Sequence, residues 1–526
     1  MTAPAVLSVR RTRRWAAALL GATAAAAFMA LAALRRRRRG PTGDEHRLRH
    51  GSRRARNTEL ARLGARVGRT YASTAARKLF ASAERAEMLD RQRELRTAED
   101  VAASLGQMKG ALMKLGQMAS YLDDGLPEPL RLALGDLLAN APPMSPELAA
   151  GVVRRELGAT PDELFLEWDP EPIAAASIGQ VHRALWWDPD QEVERAVAVK
   201  VQYPGVADAI RADLANADLL GSMMSQLFKG LDPAPMVAEI QARIGEELDY
   251  RVEAANQCAF ADFYDGHPFI HVPAVVGPMS TGRVLTTDLA AGAGWDELLT
   301  WSQAEKDLAA EAIFRFVFRS LYRFHAFNGD PHPGNYVFRP GGQVTFLDFG
   351  LVKHFDDGAM ETFQSMIGSA VLEPDHARFR GAVEGAGLLR RGAPVSTEEV
   401  GRYFDHFYEA VRTDQTITWT TAYASATVRR TFDRNSPIAQ YATVPADFVV
   451  IQRINLGLYA ILGHLGATAN YRKIAEELWP MVSGPPSTPM GEAEAAWLAR
   501  RSAPLAAQSS QSPSQFSSQS SSGSMA

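Results

Sequence analysis

The stretch that most constrains this chain is Asp330-Pro331-His332-Pro333-Gly334-Asn335, with Asp348-Phe349-Gly350 beginning eighteen residues after its aspartate. Asp, Pro, Gly and Asn are turn residues, so a capped loop is the minimal reading of the first segment. Between the two segments the sequence spells a hairpin. Tyr336 to Phe338 forms one strand, Pro340-Gly341-Gly342 the turn, and Val344 to Phe349 the return strand. That hairpin brings Asn335 and Asp348 to one edge. Asp330, Asn335 and Asp348 then stand at the spacing of a metal-dependent phosphoryl-transfer site.

The protein-kinase pattern supplies roles for these three. A catalytic-loop Asp orients the acceptor, and an Asn five residues on binds magnesium together with the Asp of D-F-G. Other parts precede them in order. Arg195-Ala196-Val197-Ala198-Val199-Lys200-Val201 reads as a buried strand with one lysine, costly to bury unpaired and suited to the α/β-phosphates of ATP. Ahead of it, where G-x-G-x-x-G is expected, stand Ala174, Ala175, Ala176 and Ser177. Alanine lacks glycine's access to positive φ, so this loop should be stiffer, with backbone N–H groups and the Ser177 hydroxyl left to hold phosphate. An alanine run is otherwise a good helix former. The acidic partner of Lys200 is expected on a helix starting near Asp232-Pro233, whose end carries Glu246, Glu247, Asp249 and Glu253. Glu247 is the first choice and Glu253 the second. Thr287, Asp288 and Leu289 suit a hinge gripping adenine.

These motifs resemble the UbiB/ADCK (AarF-like) family of atypical kinases over about residues 100 to 480. The match includes the alanine loop, a K-x-G-Q motif at Lys114 to Gln117, an E-x-D motif at Glu247 to Asp249, D-P-H-P-G-N and D-F-G. The family commonly has histidine two residues before the catalytic aspartate, and this chain has Asn328. The resemblance implies an α+β, bilobed kinase-like fold with an N-terminal K-x-G-Q extension and a largely helical C-lobe. It also implies that the Lys114 and Gln117 helix, amphipathic over Val101 to Tyr121, folds over the active site. ATP and Mg2+ are the implied cofactors. No A-P-E element follows D-F-G, which fits a non-protein substrate.

The net charge of −4 hides an asymmetry. Residues 1–56 hold fourteen arginines against Asp44 and Glu45, so the remaining chain is acidic and should not seek nucleic acid. Trp15 to Leu34 is an uncharged run of twenty residues between arginine clusters. It is long enough to span a bilayer, with a cleaved signal peptide or an interfacial or soluble helix as the competing readings, and the arginines after it favour a membrane anchor with a cytoplasmic body and affinity for anionic lipids. Cys258 is the only cysteine, which excludes an intrachain disulfide.

The expected division is an anchor at 1–40, a linker and helical segment at 41–95, and the K-x-G-Q extension at 96–160. An N-lobe at 161–290, a C-lobe at 291–485 and a disordered Ser/Gln-rich tail at 486–526 follow. Two functions compete. One is an ATP-dependent kinase or ATPase serving isoprenoid-quinone or lipid metabolism. The other is a catalytically weak, nucleotide-gated scaffold for lipid-pathway partners.

Overall fold

Strand β4 (Val193–Gln202) alternates with a period of two, which divides it into two faces. Val197, Val199 and Val201 are fully buried, while Ala198 and Lys200 on the other face are only partly covered. The computed structural model describes residues 145–509 except Ser177, 205–247, Asp330, 432–435, Ala439 and Val444. The K-x-G-Q helix with Lys114 and Gln117, the Trp15 to Leu34 run, and the residues Ser177, Glu247 and Asp330 lie outside the described residues. Among the described residues no helix is long and apolar enough to cross a membrane.

The N-lobe is an antiparallel sheet in the order β1-β3-β4-β6. Its strands are β1 (Glu167–Trp168), β2 (Ala174–Ala175), β3 (Gly179–Asp188), β4 and β6 (Val284–Asp288), with β2 also paired to β3. The buried valines of β4 pack against Ala149, Val152 and Val153 of helix α1 (Pro146–Leu157). The N-lobe core therefore takes in α1, and the boundary expected at 160 falls inside the lobe: the apolar face of this helix is what covers the sheet.

Helix α2 (Tyr250–Phe263) follows. Asp249 has extended backbone and caps it, its carboxylate accepting the Arg251 N–H at 3.0 Å. Glu253 thus sits in the first turn of a helix capped at Asp249, and the start expected at Asp232-Pro233 lies outside the described residues. The Gln202 amide donates to the Leu248 carbonyl at 3.2 Å, tying the start of α2 to the end of β4.

The C-lobe is built round α3 (Gln303–Phe324), a 22-residue helix with Ser302 as its N-cap and most of its residues buried. The helices Asp357–Ile367 (α4), His376–Gly385 (α5), Thr397–Phe404 (α6), Thr421–Thr431 (α7), Ala446–Leu465 (α8) and Tyr471–Leu478 (α9) complete it. Of the three small sheets among them, two bear on the site. In one, β5 (Ile270–His271) runs parallel to β9 (Gln343–Phe346), which pairs antiparallel with β8 (Tyr336–Arg339). In the other, β7 (Ala326–Asn328) pairs with β10 (Val352–His354).

The expected tail from 486 is corrected by α10 (Pro489–Ser509), a helix that docks on the C-lobe. The Ser/Gln-rich composition of the tail conceals buried residues, Met490, Glu494 and Trp497 among them. Glu494 accepts from Arg319 at 2.5 Å, from Arg315 at 2.8 Å and from His267 at 3.2 Å. The fully buried Arg315 also bonds Glu311 and Glu477, as burial of a charge requires. At the other end of α2, Trp497 Nε1 and Arg501 donate to the Asp265 carbonyl, and Arg501 also to that of Asp262.

Candidate functional site

The hairpin between the two motifs is present. It pairs Tyr336 with Phe346 and Arg339 with Gln343, and Gly341 and Gly342 take the positive φ of its turn. The return strand ends at Phe346, short of the expected Phe349. Leu347, Asp348 and Phe349 leave the ladder, and the Leu347 N–H donates to the Asn335 carbonyl at 3.0 Å. That bond ties the D-F-G segment directly to the asparagine of the other motif. Because β10 returns to pair with β7, Asn328 lies opposite Val352 and both loops emerge from one edge.

Lys200 is the electrostatic centre. Its ammonium donates to both oxygens of Glu253, at 2.7 and 2.9 Å, and lies 3.7 Å from Asp348 Oδ2. It also stands 5.2 Å from the centre of the Tyr250 ring. Burial opposes the charge on Lys200, but the Asp348 and Glu253 carboxylates outweigh it and hold the amine well above its usual pKa. The lysine's partner is therefore Glu253, where Glu247 was the first choice on sequence. Asp249 is occupied in capping α2.

The alanine loop is a tight hairpin rather than a helix. Ala174 pairs with Val181 and Ala175 with Gln180, and the Ala176 N–H donates to the Gly179 carbonyl at 2.9 Å. Cross-strand pairing overrides alanine's helical propensity here. Gly179 is required by close approach: a Cβ there would stand 2.3 Å from the Val201 carbonyl oxygen. Below this hairpin Val181, Lys200 and Leu285 lie in register on one sheet face, with Ala198 and Thr287 beside them.

At the expected hinge, Asp288 has its carboxylate engaged by Arg195, at 2.6 and 3.0 Å. The N–H groups of Asp288 and Leu289 donate to the carbonyls of Ala274 and Ala196. These two donors are thus used within the protein.

Two asparagines hold D-F-G. Asn328 Nδ2 donates to the Asp348 carbonyl at 2.7 Å, and Asn256 Nδ2 to the Phe349 carbonyl at 3.1 Å. Asp348 Oδ1 accepts the Gly350 N–H at 2.9 Å. Phe349 is fully buried with its ring 4.9 Å from that of Phe260. Sequence reasoning gave Asn256 no role. The signal was available in the spacing of Glu253, Asn256 and Phe260, which lie on one side of a helix.

A two-lobed α+β fold with this lysine–glutamate pair facing a D-F-G loop is that of a protein-kinase-like domain. Comparison with known proteins agrees. The ABC1 atypical kinase-like domain matches residues 136–381. Over 260 residues the chain is 34% identical to the atypical kinase COQ8B of Rattus norvegicus, a stretch covering 49% of this chain and 48% of the relative. It is 30% identical over 270 residues to the probable protein kinase UbiB of Marinobacter nauticus, covering 50% and 48%. The chain thus spans about half the length of these curated relatives. A solved structure of Rv3197 with erythromycin, from Mycobacterium tuberculosis, superposes with a TM-score of 0.55 at 31% identity, covering 76% of this chain and all of that one. The chain belongs to the UbiB/ADCK family of atypical kinases.

Proposed function

We propose that this protein is an ATP-dependent, Mg2+-requiring atypical kinase or ATPase acting at a membrane in isoprenoid-quinone or lipid metabolism. The observation that carries the reading is the Lys200 ammonium, bound by both oxygens of Glu253 and facing Asp348 at 3.7 Å. A buried cation so arranged is preorganised for phosphate without reorganising when the nucleotide arrives.

The donor set suits Mg2+, a hard cation held by one or two carboxylates together with phosphate oxygens. Asp348 would supply the carboxylate and Asn335 the amide oxygen. When bound, the ion would offset charge on the phosphates. Lys200 would grip the α/β-phosphates, and Glu253 keeps it charged and aimed. Asp330, between Gly329 and Pro331, is assigned by its place in the motif to orient the acceptor hydroxyl or water. The N–H groups at the tip of the alanine hairpin would cover the phosphates. Such catalysis is positioning and charge neutralisation.

The membrane setting is supported by the arginine-flanked Trp15 to Leu34 run, whose flanking charge favours a catalytic body on the cytoplasmic side. Lys114 and Gln117 would act as the family's regulatory element over the site. The tight closure of Ala176 on Gly179 favours a second reading, a slow or inactive nucleotide-gated scaffold. ATP turnover by the full chain, with and without anionic liposomes, separates the two. Turnover abolished by Asp348→Asn supports an enzyme, and nucleotide binding without turnover supports the scaffold.

A further inference from the structure

The peptide group joining Phe349 to Gly350 is held from both sides. Its carbonyl oxygen accepts from Asn256 Nδ2 at 3.1 Å, and its N–H donates to Asp348 Oδ1 at 2.9 Å. A trans peptide is planar, so its C=O and N–H point in opposite directions and turn together. Whatever fixes the carbonyl therefore fixes the N–H. Hydrogen bonds in series through one peptide also polarise one another.

Asn256 itself is well placed to do this. It lies one turn beyond Glu253, and one turn before Phe260, on helix α2. Glu253 is bonded to Lys200 and Phe260 packs its ring on that of Phe349. The asparagine thus reads the main chain of a residue whose side chain is already seated on the same helix.

We propose that Asn256 is a positioning residue for the metal site. It holds the Phe349–Gly350 peptide in the one orientation whose N–H engages Asp348 Oδ1, which leaves Oδ2 turned toward Lys200 and the phosphate-bound metal. Rotation of this peptide would break both bonds and take the Gly350 N–H away from Oδ1. The inference rests on the reading that Asp348 holds Mg2+ with nucleotide.

The test is calorimetric titration of the full chain with a non-hydrolysable ATP analogue, first in EDTA and then across a Mg2+ series. The variants are Asn256→Ala, which favours helix, and Asn256→Leu, which keeps the volume without the donor. Loss of one such hydrogen bond predicts that the Mg2+ concentration for half-effect rises about threefold to tenfold. Metal-free affinity should stay near that of the wild type, and the melting temperature should fall by no more than the few degrees that one lost hydrogen bond costs. A Mg2+ response unchanged in both variants overturns the inference. So does a fall in metal-free affinity in proportion to the metal-dependent one, since that marks general damage. If wild type itself binds the analogue with no Mg2+ dependence, the reading of Asp348 as a metal ligand falls, and the inference with it. Should the leucine variant fail to fold, the alanine variant decides.

Discussion

The Asn328 amide donates to the main-chain carbonyl of Asp348 at 2.7 Å, joining the strand before one motif to the first residue of the other. The family commonly has histidine here. Asparagine supplies the same kind of N–H donor from a shorter side chain, so the bond does not depend on a ring. We expect Asn328→Ala to lose about 1 kcal/mol of unfolding free energy, the usual worth of one such bond. Asn328→His should retain most of it. Urea unfolding of the two variants is the measurement, and equal losses in both would show that the donor is not what matters.

Glu253→Gln should be costly in a way that substitutions of exposed acids are not. It leaves the Lys200 charge with Asp348 alone at 3.7 Å. Removing one partner of a buried pair costs about 3–5 kcal/mol, and this pair is nearly closed to water. Chemical denaturation reads the loss, and nucleotide binding should weaken with it. A variant as stable as wild type would mean that the lysine finds compensation elsewhere.

Gly179→Ala tests the close approach beneath the alanine hairpin. The added methyl meets a backbone oxygen, which cannot swing aside as a side chain can. Overpacking of this kind costs about 1–3 kcal/mol. A neutral result, measured by thermal melting, would show that β3 and β4 can separate locally at no cost.

Stability should decline on acidification, through Glu494 and His267. Burial works against the Glu494 charge, but the hydrogen bond from His267 and the charges of Arg319 and Arg315 prevail and draw its pKa down to about 2. A carboxylate depressed in the folded state adds stability above its unfolded value, about 4.3, and loses it as pH falls toward 2. Burial also lowers the His267 pKa below its ordinary 6.5, so the unfolded chain takes up that proton first and stability begins to fall below about 6.5. The urea midpoint should therefore drop steadily from pH 7 to pH 3. Glu494→Gln should be destabilised at pH 7 and show a shallower slope between pH 4 and pH 2. A slope equal to wild type would remove Glu494 as its source.

Much of the site could be read from the chain. The β4 strand with its one lysine and the hairpin from Tyr336 to Phe346 follow from two-residue alternation and a Pro-Gly-Gly turn, both local signals. The partner of Lys200 did not follow, because Glu246, Glu247, Asp249 and Glu253 are equivalent until one knows where a helix starts. Asp249 as an N-cap was the missing fact, and it moves the first turn to Glu253. The alanine run, read from the sequence as a stiff loop, is closed by the pairing of Ala174 with Val181, which the sheet imposes over alanine's local helical propensity. Helix α10 was masked by composition, since a tail rich in Ser and Gln hides the few residues, Trp497 and Glu494 among them, that make it dock. Asn256 shares the helical spacing of Glu253 and Phe260, which marks its face, but its partner, a main-chain oxygen 93 residues away, is written in no side-chain motif.

Helix α2 is a rod of fourteen residues, about 21 Å long. One end carries the groups that aim Lys200 and the D-F-G peptide. The other is gripped by Trp497 and Arg501 of the last described helix. The last described helix and the Lys200 and D-F-G contacts thus bear on one and the same helical element.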